Sequence, residues 1–200
     1  WRPTTPRTFA VYGDGDRAVR PPVRLYADAD RDLLVLQSDV PVSRTAAASF
    51  ADCVTAWVAD NGVFPVYLSG LAVEEPPSVP SVFGVATGGA DERLADLGVD
   101  APPERGAIGG PTGALLNRAA DAGVAAAGLV TESDPQFPDP AAARRLLVDG
   151  VGPLAGVEVD TDDLVERAEE IRDQKEQLAR QMQEADEEES SQAKPVGMFQ

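Results

Sequence analysis

The sequence predicts an α/β fold: a mostly parallel sheet with helices on both faces, followed by a C-terminal helical extension. Short apolar runs alternate with stretches of helical periodicity between residues 32 and 155, and helix caps or glycine stops fall at the junctions. Beyond Gly156 the pattern changes to one long acidic helix with apolar residues at every seventh position. The expected division is an α/β core over 1–160, an amphipathic helix over 161–185 and a flexible acidic tail over 186–200.

The elements follow in order. Residues 1–20 are polar, contain proline and lack periodicity. Asp32-Leu33-Leu34-Val35-Leu36 reads as a buried strand leading into a packed helix, which Ser43 caps and which carries Ala46, Phe50, Val54 and Trp57 at helical spacing. Asn61-Gly62 ends that helix, and Val63 to Leu68 reads as the next strand, with Pro65 arguing against a central position. A Pro-rich loop from Glu74 to Pro80 precedes a strand from Ser81 to Ala86 and a short helix from Asp91 to Leu97. Gly109-Gly110-Pro111-Thr112-Gly113 opens a helix through Ala122, Gly123 separates it from the apolar run Val124 to Val130, and Asp139-Pro140 caps and starts another helix. Strands and helices in this alternation call for a parallel sheet covered on both sides. In the last helix Leu164, Ile171 and Leu178 form the seam, with Ala168 and Met182 beside them; it is a candidate surface for self-association or a partner helix. Asp186 to Gln192 is expected to be disordered.

Composition narrows the function. The 200 residues, 43% of them hydrophobic, suffice for one domain with a sizeable core. Asp and Glu number 34 against 17 Lys and Arg, a formal charge of -17 that repels nucleic-acid backbones and anionic lipid, and no basic patch offsets it. Lys175 and Lys194 are the only lysines, a bias resembling proteins of a salt-rich cytosol, where a Debye length of about 3 Å at 1 M would screen the self-repulsion. The single Cys53, in an Ala-rich helical stretch, excludes an intramolecular disulfide, reads as a structural thiol and fits a reducing compartment. No apolar run approaches the roughly 20 residues of a membrane helix, and the start lacks the order of a signal peptide, so a soluble, cytoplasmic protein is expected. Histidine is absent, which removes the commonest metal ligand and neutral-pH proton carrier.

Several segments together resemble a known family. Asp32 to Pro41 is similar to its strand-then-proline segment, Gly109-Gly110-Pro111-Thr112-Gly113-Ala114-Leu115-Leu116 to its glycine-rich loop and helix, and Thr131-Glu132-Ser133 with Asp139-Pro140-Ala141-Ala142-Ala143 to its later strand and helix start. Val159-Asp160-Thr161-Asp162-Asp163-Leu164 resembles its final helix entry, so that the resemblance covers most of 24–180. The family is that of the archaeal homologues of the eukaryotic proteasome assembly chaperones. The resemblance implies a fold similar to nucleoside phosphorylases and hydrolases, homo-oligomers, and contact with proteasome α-subunits through C-terminal tails. It also implies a first strand, glycine loop and helix with no counterpart before Trp1; the start is expected to be trimmed or divergent, at the cost of an exposed sheet edge or lost core.

Against that background the terminal Met198-Phe199-Gln200 resembles the hydrophobic, tyrosine, any-residue tail with which proteasome activators enter pockets between α-subunits, Phe199 standing in the tyrosine position. The rival reading is a phosphorylase-like or hydrolase-like enzyme for a small anionic substrate. It would use the backbone donors of Gly109, Gly110, Thr112 and Gly113 at a helix start, with Glu132 and Asp134 as general acid or base. The loop lacks the Lys of a P-loop and the spacing of a dinucleotide fingerprint, which favours a purely structural turn. Glu132, Asp134 and Asp139 lack the periodicity of a calcium loop and read as caps and loop charges, and Ser38 and Ser69 have no His to activate them. The expectation is a non-enzymatic, oligomeric assembly chaperone or adaptor with no catalytic residues, metal or cofactor, whose partners are itself and proteasome α-subunits.

Overall fold

The computed structural model describes residues 10–13, 15, 17–135, 138–167 and 170–171. Two short strands, β1 (Val11–Tyr12) and β2 (Val19–Arg20), pair antiparallel, and β3 (Val23–Asp28) and β4 (Leu33–Ser38) form an antiparallel hairpin. Helix α1 (Arg44–Asn61) leads to β5 (Val66–Ala72) and β6 (Val82–Thr87), followed by α2 (Asp91–Asp96), α3 (Gly110–Asp121) and β7 (Ala126–Ser133). Next come α4 (Pro140–Arg145), a π-helical turn over Leu146–Val151 and α5 (Gly152–Ala155); residues 162–167 are helical again.

Capping chemistry fixes the helix ends where the sequence places them. Ser43 Oγ accepts the Ala46 N–H at 3.2 Å, and Gly62 takes the left-handed conformation at φ 63° that closes α1. Asp139 caps α4 in the same way, accepting the Ala142 N–H at 3.0 Å, with Pro140 in the first turn.

The central sheet has the order β5-β7-β6. β7 runs parallel to β5 and antiparallel to β6, so the expectation of a mostly parallel sheet is corrected: one pair is parallel, and the other pairs, including the hairpin, are antiparallel. The reason lies in the connections. A parallel neighbour needs a crossover of about a dozen residues or more, whereas the Pro-rich loop from β5 to β6 is too short to cross the sheet and returns the chain at the same end. Pro65 sits just before the first ladder pair of the edge strand β5, where its carbonyl accepts the Ala127 N–H at 3.0 Å.

Helices do cover both faces of this sheet. On one side Phe50, Val54 and Val58 of α1 and Leu115, Leu116 and Ala119 of α3 pack with Tyr67 and Ala126. On the other, Leu94, Val99 and Leu154 pack on Ala127 and Leu129. Burial of each large apolar side chain contributes about 1.5 to 3 kcal/mol, so Phe50→Ala, which also leaves a cavity, would cost about 3 to 5 kcal/mol. Trp57 is half-buried at the margin of the first cluster, and Cys53 is half-buried on α1.

The second correction concerns Asp32 to Leu36. It forms most of β4, but the strand is exposed rather than buried, because its partner is β3 and not the central sheet.

Candidate partner-binding surfaces

The β3–β4 hairpin is built by a tight acidic turn. Asp28 Oδ1 accepts the N–H groups of Asp30 at 3.1 Å and Arg31 at 3.2 Å, and Asp28 Oδ2 pairs with Arg31 Nη1 at 2.6 Å. The Arg31 guanidinium holds the Asp28 carboxyl below the usual carboxylate range. Asp32 completes the turn at φ 52°, a left-handed conformation that Asp tolerates better than most residues. At the base Arg24 pairs with Asp39, and Asp39, followed by Tyr26, raises the Arg24 pKa further.

From base to tip the hairpin presents large apolar groups on both faces. Leu25 lies opposite Leu36 and Ala27 opposite Leu34, which places these four on one face; Tyr26 opposite Val35 occupies the other. Their exposures are 36% for Leu25, 48% for Tyr26, 37% for Leu34, 49% for Val35 and 37% for Leu36, far above a core residue such as Leu129 at 0%. Only Val23, at the base, joins the first core cluster. An apolar surface held out in this way makes the hairpin a candidate interaction site. The sequence reading missed it by treating β4 alone. The signal was available in two six-residue stretches rich in apolar residues, Val23 to Asp28 and Leu33 to Ser38, flanking the turn Ala29-Asp30-Arg31-Asp32.

A second apolar exposure lies at the sheet edge, where Leu68 and Leu71 of β5 are each nearly half exposed. The first residues of the proposed helical seam fall elsewhere: Leu164 and Ile171 are half-buried, each in a helical stretch, and Leu178 lies outside the described residues. Met198, Phe199 and Gln200 also lie outside them.

The glycine-rich loop joins α2 to α3; Gly109 and Gly110 are exposed, and the chain packs closely only at Gly113. A Cβ on Gly113 would stand 2.1 Å from the Ile108 carbonyl oxygen, and the Gly113 N–H is already bonded to Gly109 at 3.1 Å. Thr112 Oγ1 donates to the Leu68 carbonyl at 3.2 Å and ties the helix start to β5. Pro111 has no N–H, so the exposed turn offers a nearby anion fewer donors than a usual helix start. Gly110 sits at φ 62° as the chain enters α3.

Two of the acids singled out in the sequence, Glu132 and Asp139, accept backbone hydrogen bonds within the fold. Glu132 Oε2 accepts the Ser81 N–H at 3.0 Å and helps to position the start of β6, together with Thr131 Oγ1, which donates to the Ser81 carbonyl at 2.9 Å. Asp139 is occupied as the α4 cap and also accepts the Asp134 N–H at 3.2 Å. Ser38 Oγ donates to the Val40 carbonyl at 2.6 Å in a local turn. A concavity of about 590 Å³ exists elsewhere, between the π-helical turn and the segment Gly156 to Val159, open and lined by Leu147, Val148 and Val157. Among the described residues no group of three or more His, Cys, Asp or Glu is placed to hold a metal, and no helix is long and apolar enough to cross a membrane.

Comparison with known proteins fits this architecture. A family model described as the PAC2 family matches residues 2–179. No curated protein matches the chain. Among solved structures it is similar to Pyrococcus furiosus PbaA, an archaeal homolog of proteasome-assembly chaperone, with TM-score 0.75 and 24% identity over 94% of this chain and 78% of that one. It is also similar to Pyrococcus furiosus PbaB, an archaeal proteasome activator, with TM-score 0.72 and 22% identity over 86% and 78% of the two chains. A Mycobacterium tuberculosis proteasome-assembly chaperone homologue follows the same fold, with TM-score 0.59 and 24% identity over 86% and 76%.

Proposed function

Because this chain belongs to the PAC2 family, we propose that it is a non-enzymatic assembly chaperone or adaptor of the proteasome that acts through protein contacts. The observation that carries the reading is where the chain places its apolar and polar groups. Large apolar side chains are held outward on the hairpin, while Gly113 packs against the Ile108 carbonyl, Glu132 accepts the Ser81 N–H and Asp139 caps α4. A surface of that kind serves association; a catalytic centre needs convergent, unengaged polar groups. The similarity to PbaA and PbaB, whose names refer to proteasome assembly and activation, supplies the partner class.

In this reading the protein self-associates, and Met198, Phe199 and Gln200 dock on proteasome α-subunits, with Phe199 filling an apolar pocket. Burial of one phenyl ring contributes at most about 1.5 to 3 kcal/mol, against which the lost rigid-body freedom acts. One tail therefore binds no better than roughly millimolar, and several tails on one oligomer bind by avidity. The test is binding to isolated α-subunit rings by the full chain and by a chain lacking Met198 to Gln200. Loss of binding on truncation is expected; undiminished binding would place recognition on the body of the domain.

A further inference from the structure

We propose that the outer edge of β4 is the self-association surface, and that a second copy of this chain pairs its own β4 there, antiparallel about a two-fold axis through Val35. The proposal rests on the self-association reading above and names the surface that reading leaves open.

The two strands of the hairpin differ as edges. Among the described residues neither pairs with a third strand, so each carries a row of backbone donors and acceptors along its outer side. β3 bears Arg24 and Asp28, charges of the type that blunt an edge, whereas β4 reads Leu33-Leu34-Val35-Leu36-Gln37-Ser38, six residues without a charge or a proline. An uncharged apolar edge is a template for another strand. In a chain of formal charge -17, it is also a place where two copies can meet without like charges in contact.

Charge also selects the register. With Val35 opposite its own copy, Leu34 faces Leu36 and Leu33 faces Gln37, and continuing outward brings Arg31 toward Asp39 of the other chain. A slip by one residue in one direction sets Asp32 against Asp39, and in the other sets Asp30 against Asp39. Both slips oppose like charges, and slips by two residues, which keep the faces, set Asp39 against Leu33 or Asp32 against Leu36 and so place a carboxylate on an apolar side chain; all are disfavoured. The favoured register merges Leu25, Leu34 and Leu36 of the two copies into one apolar face and Tyr26 and Val35 into the other. Because the surface is the same patch on both partners, the association is isologous and closes at a dimer, on which any further interface builds.

The test uses full-length protein with Cys53→Ala and Val35→Cys, treated with a short bifunctional maleimide in high salt. A covalent dimer is expected in high yield, and the matching Leu71→Cys control on the β5 edge should give none. Val35→Lys, at a half-exposed position that leaves the core untouched, places two cations on the axis and should weaken self-association by about tenfold or more, read by sedimentation. A wild-type chain that is monomeric in high salt would overturn both the self-association reading and this proposal. A wild-type oligomer that yields no Val35→Cys dimer would overturn the proposal alone and leave the helical seam at Leu164 and Ile171 as the interface.

Discussion

The Arg24 guanidinium grips the Asp39 carboxylate with two nitrogens, Nη2 to Oδ1 at 2.8 Å and Nη1 to Oδ2 at 2.5 Å, while its Nε donates to the Tyr26 hydroxyl at 2.8 Å. This fork ties the first residues of β3 to the chain just past β4 and so sets the angle at which the hairpin leaves the body. Asp39→Asn keeps the shape and removes the charge. Its expected effect is faster limited proteolysis within residues 23–40 with little change in the thermal midpoint, because the pair lies outside the core.

At the other end of the hairpin the Asp28 pKa is lowered by Arg31. The sign follows from that direction: the turn's ion pair is intact above the ordinary Asp value of about 3.9 and is lost as the pH falls through the depressed folded value. Protection of the Asp30 and Arg31 amides, measured against the intrinsic exchange rate at each pH, should fall as the pH drops through the depressed Asp28 value, below the ordinary one of about 3.9, and Asp28→Ala should lack that protection at every pH.

Tyr67 is buried against α1 and α3, and its hydroxyl, like that of Thr55, lacks a hydrogen-bond partner among the described residues; the two groups lie near one another without reaching bonding geometry. Burial pushes the phenol's pKa up, with Thr55 opposing weakly. A raised acid holds its proton in the folded state, so stability is full below about pH 10 and falls above it as the unfolded phenol ionises. Tyr67→Phe should raise stability by about 1 kcal/mol at neutral pH by removing an unsatisfied buried hydroxyl, and should flatten the alkaline limb of a denaturation-versus-pH curve.

Gly113→Ala tests the packed first turn of α3. The added methyl has to displace the Ile108 carbonyl from 2.1 Å, and overpacking of this kind costs about 1 to 3 kcal/mol. The thermal midpoint should fall, and added phosphate should restore none of it. Recovery in phosphate would revive the loop as an anion site.

Thermal stability should rise with potassium chloride toward molar concentration, since a net charge of -17 opposes the compact state through repulsion that salt screens. A melting midpoint that is flat or falling with salt would show the acidic surface to be unrelated to a saline cytosol.

Local chemistry carried most of the legible part of this fold. Ser43, Gly62 and Asp139 each determine a helix end through bonds to residues three or four positions away, Pro140 adds its fixed φ at the first helical position, and sequence order alone displays these signals. The strand direction of β6 depends on β7, far along the chain, and the exposure of β4 on its pairing with β3 outside the central sheet. Apolar composition reads the same whether Leu34 and Leu36 face a core or a second molecule. The same limit applied to Glu132, which reads as an unengaged acid until Ser81, 51 positions away, is brought to its carboxylate.

β7 lies between β5 and β6 and follows both in the chain. During synthesis, therefore, neither flanking strand has its neighbour until Ser133 has left the ribosome, and the two core clusters, both of which need residues of β7, wait with them. The hairpin β3–β4, whose pairing is wholly local, closes long before. The nascent chain thus displays its stickiest edge while the domain beneath it is still unfolded, and the interval between the two events is a time when premature pairing between neighbouring chains competes with folding.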